Sequence, residues 1–174
     1  SVVQYLYARS FFDSIPISTN NQIAFDYYRG QSQKFWLSQS KYMQAMIALS
    51  LYRTNDNITP KEIIKSLKEN AIQNDEMGMY WKEWTQGGYW WYQAPIESQA
   101  LMIEAFQTID GNINTVAELK TWLLKNKQTN HWKTSRATAD AVYALLLQGN
   151  DWLTQEKNIQ IQLGGYVIES KNEV

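Results

Sequence analysis

The chain has 174 residues, 44% of them apolar, with 16 Lys plus Arg against 17 Asp plus Glu for a formal net charge of −1. That length supports a substantial core, the balanced charge removes the basic excess that nucleic-acid binding needs, and no apolar run reaches the length of a bilayer span. No Cys and a single His exclude a thiol nucleophile, disulfides, iron–sulfur clusters and Cys-based zinc sites, and no cofactor or metal is expected. The compartment stays open on these counts, since a disulfide-free chain folds on either side of a membrane. The unusual numbers are 8 Trp and 11 Tyr beside only 3 Pro and 8 Gly. They favour long regular elements.

In chain order, residues ~1–12 read as a buried helix already under way at Val2. With no initiator Met or targeting segment ahead of it, the sequence is expected to be a piece of a longer protein. Residues ~20–34 read as an outer helix with Ile23 and Tyr27 on its apolar stripe. Residues ~40–53 are apolar nearly all round (Met43, Ala45, Met46, Ile47, Ala48, Leu49, Leu51), which predicts burial on most sides. Residues ~60–73 return to one stripe, Ile63, Ile64, Leu67 and Ala71, against Lys61, Glu62, Lys65, Lys68 and Glu69. Thr59-Pro60 marks its start.

From Tyr80 to Tyr92 seven aromatics crowd into thirteen residues around Gly87-Gly88, the pattern of a strand, a tight turn and a strand. Trp81, Trp84, Trp90 and Trp91 are the candidate binding residues here, as a stacking platform for sugar rings or a partner surface. The competing reading is a hairpin whose rings cap the helices. Residues ~95–108, after Ala94-Pro95, are again apolar all round, ~115–127 carry the stripe Val116, Leu119 and Leu123, and ~135–148 form a third buried helix. Asn158 to Leu163 alternates strictly and Tyr166 to Ile168 follows Gly164-Gly165, which predicts a hairpin with a two-residue turn. Two strands alone are marginal, so they read as the beginning of a β domain.

A repeat organises these elements. Trp36, Trp91 and Trp132 each stand eight residues before a polar residue, Gln44, Gln99 or Asp140, which is followed by Ala and large apolar side chains. Spacings of 55 and 41 residues suit two-helix units. Buried and amphipathic helices therefore alternate, as two concentric layers require. The expected fold is all-α, a partial α/α toroid of about seven alternating inner and outer helices over residues 1–155. Residues 156–174 are expected to start a β-sandwich domain. An arc of that kind leaves apolar end faces and predicts self-association.

Chemistry has few candidates. Glu97 and Glu104 lie two turns apart on one buried helix, about 10.5 Å along the axis at ~1.5 Å per residue, with Asp140 on the next. Paired carboxylates ~5–9.5 Å apart serve glycosidases. Yet Glu97 occupies a first helical turn, where a carboxylate complements the helix dipole in any protein. A hydrogen bond from Gln44, Gln99 and Asp140 to neighbouring loops would explain that repeat position structurally. His131 stands alone in a turn, without a nucleophile-elbow serine. No catalytic residue is assigned.

Three segments carry a resemblance. Ile96 to Phe106 resembles the helix of the alpha-2-macroglobulin family that reads Val-Glu-x-Thr-x-x-x-Leu-Leu. Leu119 to Gln128 resembles the family's Trp-Leu-x-x-Gln-Gln segment. Trp132 to Leu146 resembles its aromatic-x-Ser-Thr-x-Asp-Thr-Val-x-Ala-Leu block, in the same order. Asp75 to Trp81 is similar to a segment of the large bacterial members. The resemblance implies the later part of an α/α-toroid thioester domain, set among β-sandwich domains of an extracytoplasmic protein at the periplasm or cell surface. It implies protease trapping through the longer parent, not turnover. The family's Cys-containing thioester motif has no counterpart in this sequence, and Gln99-Ala100 and Asp140 match structural family positions. The alternative is a carbohydrate-active toroid enzyme or sugar-binding module built on the Trp-rich segment and Glu97.

Overall fold

The computed structural model describes residues 1–12, 14–85, 94–129, 132 and 134–147, and the backbone of 160–163 and 166–169. Seven helices account for most of them: α1 (Val2–Arg9), α2 (Thr19–Phe35), α3 (Lys41–Arg53), α4 (Thr59–Glu69), α5 (Pro95–Ile109), α6 (Ile113–Thr129) and α7 (Ser135–Leu146). Their starts follow from local chemistry. Thr134 Oγ1 accepts from Ala137 N at 3.0 Å to open α7, and Asn112 Oδ1 accepts from Thr115 N at 3.0 Å to open α6. At α4, Pro60 sits in the first turn, and the Asp56 carboxylate accepts from the backbone N–H groups of Ile58 and Thr59. Each side chain satisfies a donor the helix itself leaves unpaired.

The helices pack in a regular succession. Along the odd-numbered ones α1 meets α3, α3 meets α5 and α5 meets α7, while α2, α4 and α6 each lie against both of their sequence neighbours in that row. The sequence's two helix types explain the placement. Gln44 to Leu51 is an unbroken buried stretch of α3, and Ser98 to Phe106 is another in α5, because each is covered on both sides and from behind. By contrast, α4 buries only Pro60, Ile63, Ile64 and Leu67. No helix among the described residues is long and apolar enough to cross a membrane.

Between α4 and α5 the chain makes a two-stranded antiparallel hairpin, β1 (Ile72–Asn74) and β2 (Gly78–Tyr80), paired Ile72 with Tyr80 and Asn74 with Gly78. It shortens the helix expected to reach residue 73, because α4 stops at Glu69 where the Asn70 side chain turns back to donate to Ser66 O. Gly78 lies at φ +76°, and a Cβ there would stand 2.2 Å from the Glu118 carbonyl of α6. Only glycine lets β2 approach α6 so closely. The C-terminal strands β3 (Gln160–Leu163) and β4 (Tyr166–Glu169) pair antiparallel, with Leu163 opposite Tyr166.

Three expectations fail. The first helix is not buried: among the described residues α1 buries only Leu6, since α3 and α2 cover one side of it. The Ile23 and Tyr27 stripe of α2 points to solvent, Ile23 at 80% exposure. Its inward face is polar instead. Arg29 donates to Thr54 Oγ1 and Thr54 O, and Gln33 to Asp56 Oδ2, so hydrogen bonds to the α3–α4 turn orient the helix. Finally, α7 is not covered all round: Ala137, Ala141 and Ala144 are buried while Val142, Tyr143 and Leu146 are about half exposed.

Candidate functional site

The aromatic segment begins where β2 ends. Trp81 is fully buried, and its Nε1 donates to Leu67 O at 3.0 Å. Its ring meets Trp84 edge-on with centroids 4.4 Å apart and Phe106 at 6.2 Å, while Tyr80 stacks on Trp122 at 6.0 Å. Trp81 therefore presents no face to a ligand, and Trp84 is half-buried beside it. The expected strand does not continue past Tyr80: Lys82–Trp84 is a turn of 3₁₀ helix, because Trp81 is drawn inward by Leu67 and Trp84 folds back onto it. Lys41 ties that turn to α3 through Glu83, 2.7 Å away. Trp90, Trp91 and the Gly87-Gly88 turn lie outside the described residues, as do His131, the Gly164-Gly165 turn and the expected boundary at 155–156.

The two glutamates of α5 have separate fates. Glu104 is only 5% exposed and accepts from Arg53 Nη2 at 2.5 Å on Oε1 and from Tyr7 Oη at 3.2 Å on Oε2. Arg53 closes α3, Tyr7 belongs to α1, and the guanidinium also lies 4.1 Å from the Phe11 ring centroid. One buried charge pair thus joins α1, α3 and α5. Burial, reinforced by the Glu104 carboxylate, holds the Tyr7 hydroxyl far above the usual phenol range, so it remains a donor. Tyr143 of α7 feels the same two charges, its hydroxyl likewise raised, chiefly by burial. Among the described residues Arg53 Nη1 is buried without a hydrogen-bond acceptor, and the Phe11 π face lies where it can compensate it.

Glu97 lies at the opposite, N-terminal end of α5. It shares that end with Tyr42 of α3 and with Arg136 and Asp140 of α7, all of which act on the Tyr42 hydroxyl. Burial is the main cause that raises it, Arg136 opposing. Asp140 pairs with Arg136 at 3.6 Å, one helical turn away. The repeat position therefore splits. Gln44 Nε2 donates to Gln39 O at 2.8 Å, and Gln99 Nε2 to both Met79 O and Leu119 O at 2.9 Å, which stitches α5 to β2 and α6. Asp140, half-exposed, pairs with Arg136 on its own helix, and most of the loop ahead of α7 lies outside the described residues.

Sequence reasoning missed Tyr7, Arg53, Phe11 and Tyr143. One signal was available: an Arg closing one apolar helix and a Glu inside the next are opposite charges that burial obliges to meet. A polar crevice of about 420 Å³ among Arg9, Asp26, Arg29 and Thr54 was not anticipated either. Its guanidiniums are already engaged, Arg9 with Phe12 O and Ile15 O and Arg29 with Thr54. No protein-family model matches the chain, and neither a curated protein nor a solved structure matches it significantly.

Proposed function

We propose that the chain is the later part of an α/α-toroid domain in a bacterial alpha-2-macroglobulin-like protein, which traps proteases or surveys the cell surface outside the cytoplasm and performs no turnover here. The observation that carries this reading is where the resembling segments fall. Ile96 to Phe106 lies wholly in α5, Leu119 to Gln128 in α6 and Trp132 to Leu146 runs into α7, three helices in succession. Asp75 to Trp81 forms the turn, β2 and the buried Trp that these helices enclose. Gln99, the polar position of the first segment, bonds to the second segment at Leu119 and to Met79 of the hairpin. Residues within the resembling segments thus help to bind these elements together, which supports the reading. In this reading the odd helices line the inside of an arc, the even helices its outside, and β3–β4 opens the β-sandwich that follows.

The test uses the full-length parent, offered an active endoprotease and the same protease with its active site blocked. Expected is co-elution of only the active enzyme, which keeps its action on a small peptide but loses it on a large protein. Clean cleavage of the parent without retention of the enzyme would overturn the proposal. Hydrolysis of a glycoside panel that disappears in Glu97→Gln would replace it with the carbohydrate-active reading.

A further inference from the structure

The polar crevice of about 420 Å³ takes its walls from three separate segments: the end of α1 with the turn after it, α2, and the α3–α4 turn. It gathers Arg9, Gln22, Asp26, Arg29, Thr54 and Asn55, with Ile17 and Phe25 as an apolar side. Two guanidiniums and one carboxylate thus border one space, yet Asp26 pairs with neither arginine among the described residues. Asp26 and Arg29 stand three residues apart on α2, where opposite charges ordinarily meet, their Cβ atoms ~5–6 Å apart. Here Arg29 turns to Thr54 instead, through Nε at 3.1 Å and Nη2 at 3.0 Å.

Those bonds fix the guanidiniums without exhausting them, since an arginine carries five N–H donors. Arg29 commits Nε and Nη2, which leaves Nη1 uncommitted among the described residues. Arg9 is held by the carbonyls of Phe12 and Ile15, neither of which neutralises its charge. On Asp26, Oδ1 accepts from Gln22 Nε2 at 3.0 Å, and Oδ2 keeps its capacity to accept. The crevice therefore presents a preset cationic donor and an anionic acceptor side by side. We propose that it binds a small zwitterion, a free α-amino acid with an apolar side chain. The ligand's carboxylate accepts from Arg29 Nη1 in the field of Arg9. Its ammonium donates to Asp26 Oδ2, and its side chain lies against Ile17 and Phe25.

Size and charge agree with this. Small-molecule sites span ~300–1,000 Å³, and this crevice sits toward the lower end of that range. Its wall carries two positive charges against one negative, in a chain whose formal net charge is −1, so a simple cation is disfavoured. A simple anion would bring its charge up to Asp26, whereas a zwitterion answers both signs. A charge-assisted hydrogen bond at each end is stronger than a neutral one. Because Thr54 and the two carbonyls already hold the guanidiniums in place, little side-chain freedom is lost on binding.

Amide NMR spectra of the 174-residue chain, titrated to about 20 mM ligand, test the proposal with three probes. L-leucine carries both charges, its methyl ester lacks the carboxylate charge, and 4-methylpentanoate lacks the ammonium. Leucine is expected to give saturable shifts at Gln22, Asp26, Arg29 and Asn55, with each of the other two bound about tenfold more weakly. Asp26→Asn, at an exposed position, should weaken leucine about tenfold and leave 4-methylpentanoate unchanged. No saturable shift with leucine, equal binding of the three probes, or an Asp26→Asn chain that binds leucine as the wild type does would each overturn the proposal. The three-probe comparison on the wild type decides even where the variant fails to fold. The protease-trap reading is untouched by any of these results, because it is tested on the parent.

Discussion

Replacing Glu104 by Leu removes the charge that holds α1, α3 and α5 to one another, at nearly constant side-chain size. What remains is an Arg53 guanidinium whose side chain is only 20% exposed, facing no counter-ion, and a partly buried Tyr7 hydroxyl without its acceptor. Breaking a buried ion pair from one side costs ~3–5 kcal/mol. The partial exposure of Arg53 and its contact with Phe11 place this pair at the low end, at about 3 kcal/mol. In a chain of this length each kcal/mol lowers the melting temperature by ~2–4 °C, so the expected fall is about 6–12 °C. Circular dichroism during thermal and urea unfolding reads it directly. The double variant Arg53→Met with Glu104→Leu distinguishes a pair from two unrelated packing residues. Removing both charges leaves no stranded ion, so it should lie within about 1 kcal/mol of the wild type. Additive losses in the double variant, or a Glu104→Leu loss below about 1 kcal/mol, would refute the role assigned to the pair.

Two glycines give opposite expectations in the same urea titration. Gly78→Ala forces a Cβ against the Glu118 carbonyl at a positive φ and should cost more than about 2 kcal/mol. Gly30→Ala, inside α2 with nothing within 4 Å of the added carbon, should gain ~0.4–1 kcal/mol. Trp81→Phe leaves the Leu67 carbonyl without its indole donor and opens a void beside Phe106. A loss of about 2–3 kcal/mol in the urea midpoint analysis is expected. For Asp56, burial pushes the carboxyl up, but hydrogen bonds from Gln33, Ile58 and Thr59 outweigh it and hold the group below its ordinary 3.8. A depressed carboxyl contributes stability that is present above the unfolded value and lost as pH falls through the folded one. Asp56→Asn should therefore lower stability near neutrality and flatten the acid decline below about pH 4, read from urea midpoints across that range.

The buried helices α3 and α5 were legible because burial on most sides leaves a compositional mark, and Thr59-Pro60 and Ala94-Pro95 marked real helix starts. The orientation of α2 was not. A stripe of Ile23 and Tyr27 says that two faces differ, but which face is covered depends on Thr54 and Asp56, more than twenty residues further along. The β1–β2 hairpin escaped because three-residue strands are too short to show a period of two. Its placement rests on a contact between Gly78 and α6 that no local pattern encodes. At the candidate site, Glu104 was visible as a charge in an apolar helix, whereas Tyr7 lies 97 residues away in sequence and Arg53 lies 51. Separations of that size are fixed by the order of the row alone.

That order also decides what the polar residues are free to do. Both carboxylate oxygens of Glu104 are occupied, one by Arg53 and one by Tyr7, so this group meets any substrate only if α1 first leaves the row. Glu97, near Arg136 and Asp140, belongs to the other end of α5 and approaches Glu104 no closer than two helical turns allow, roughly 10.5 Å of rise. The Gln99 amide is spent on two backbone carbonyls, and the Trp81 indole on a third. Glu104, Gln99 and Trp81 are therefore side chains that keep the helices in register.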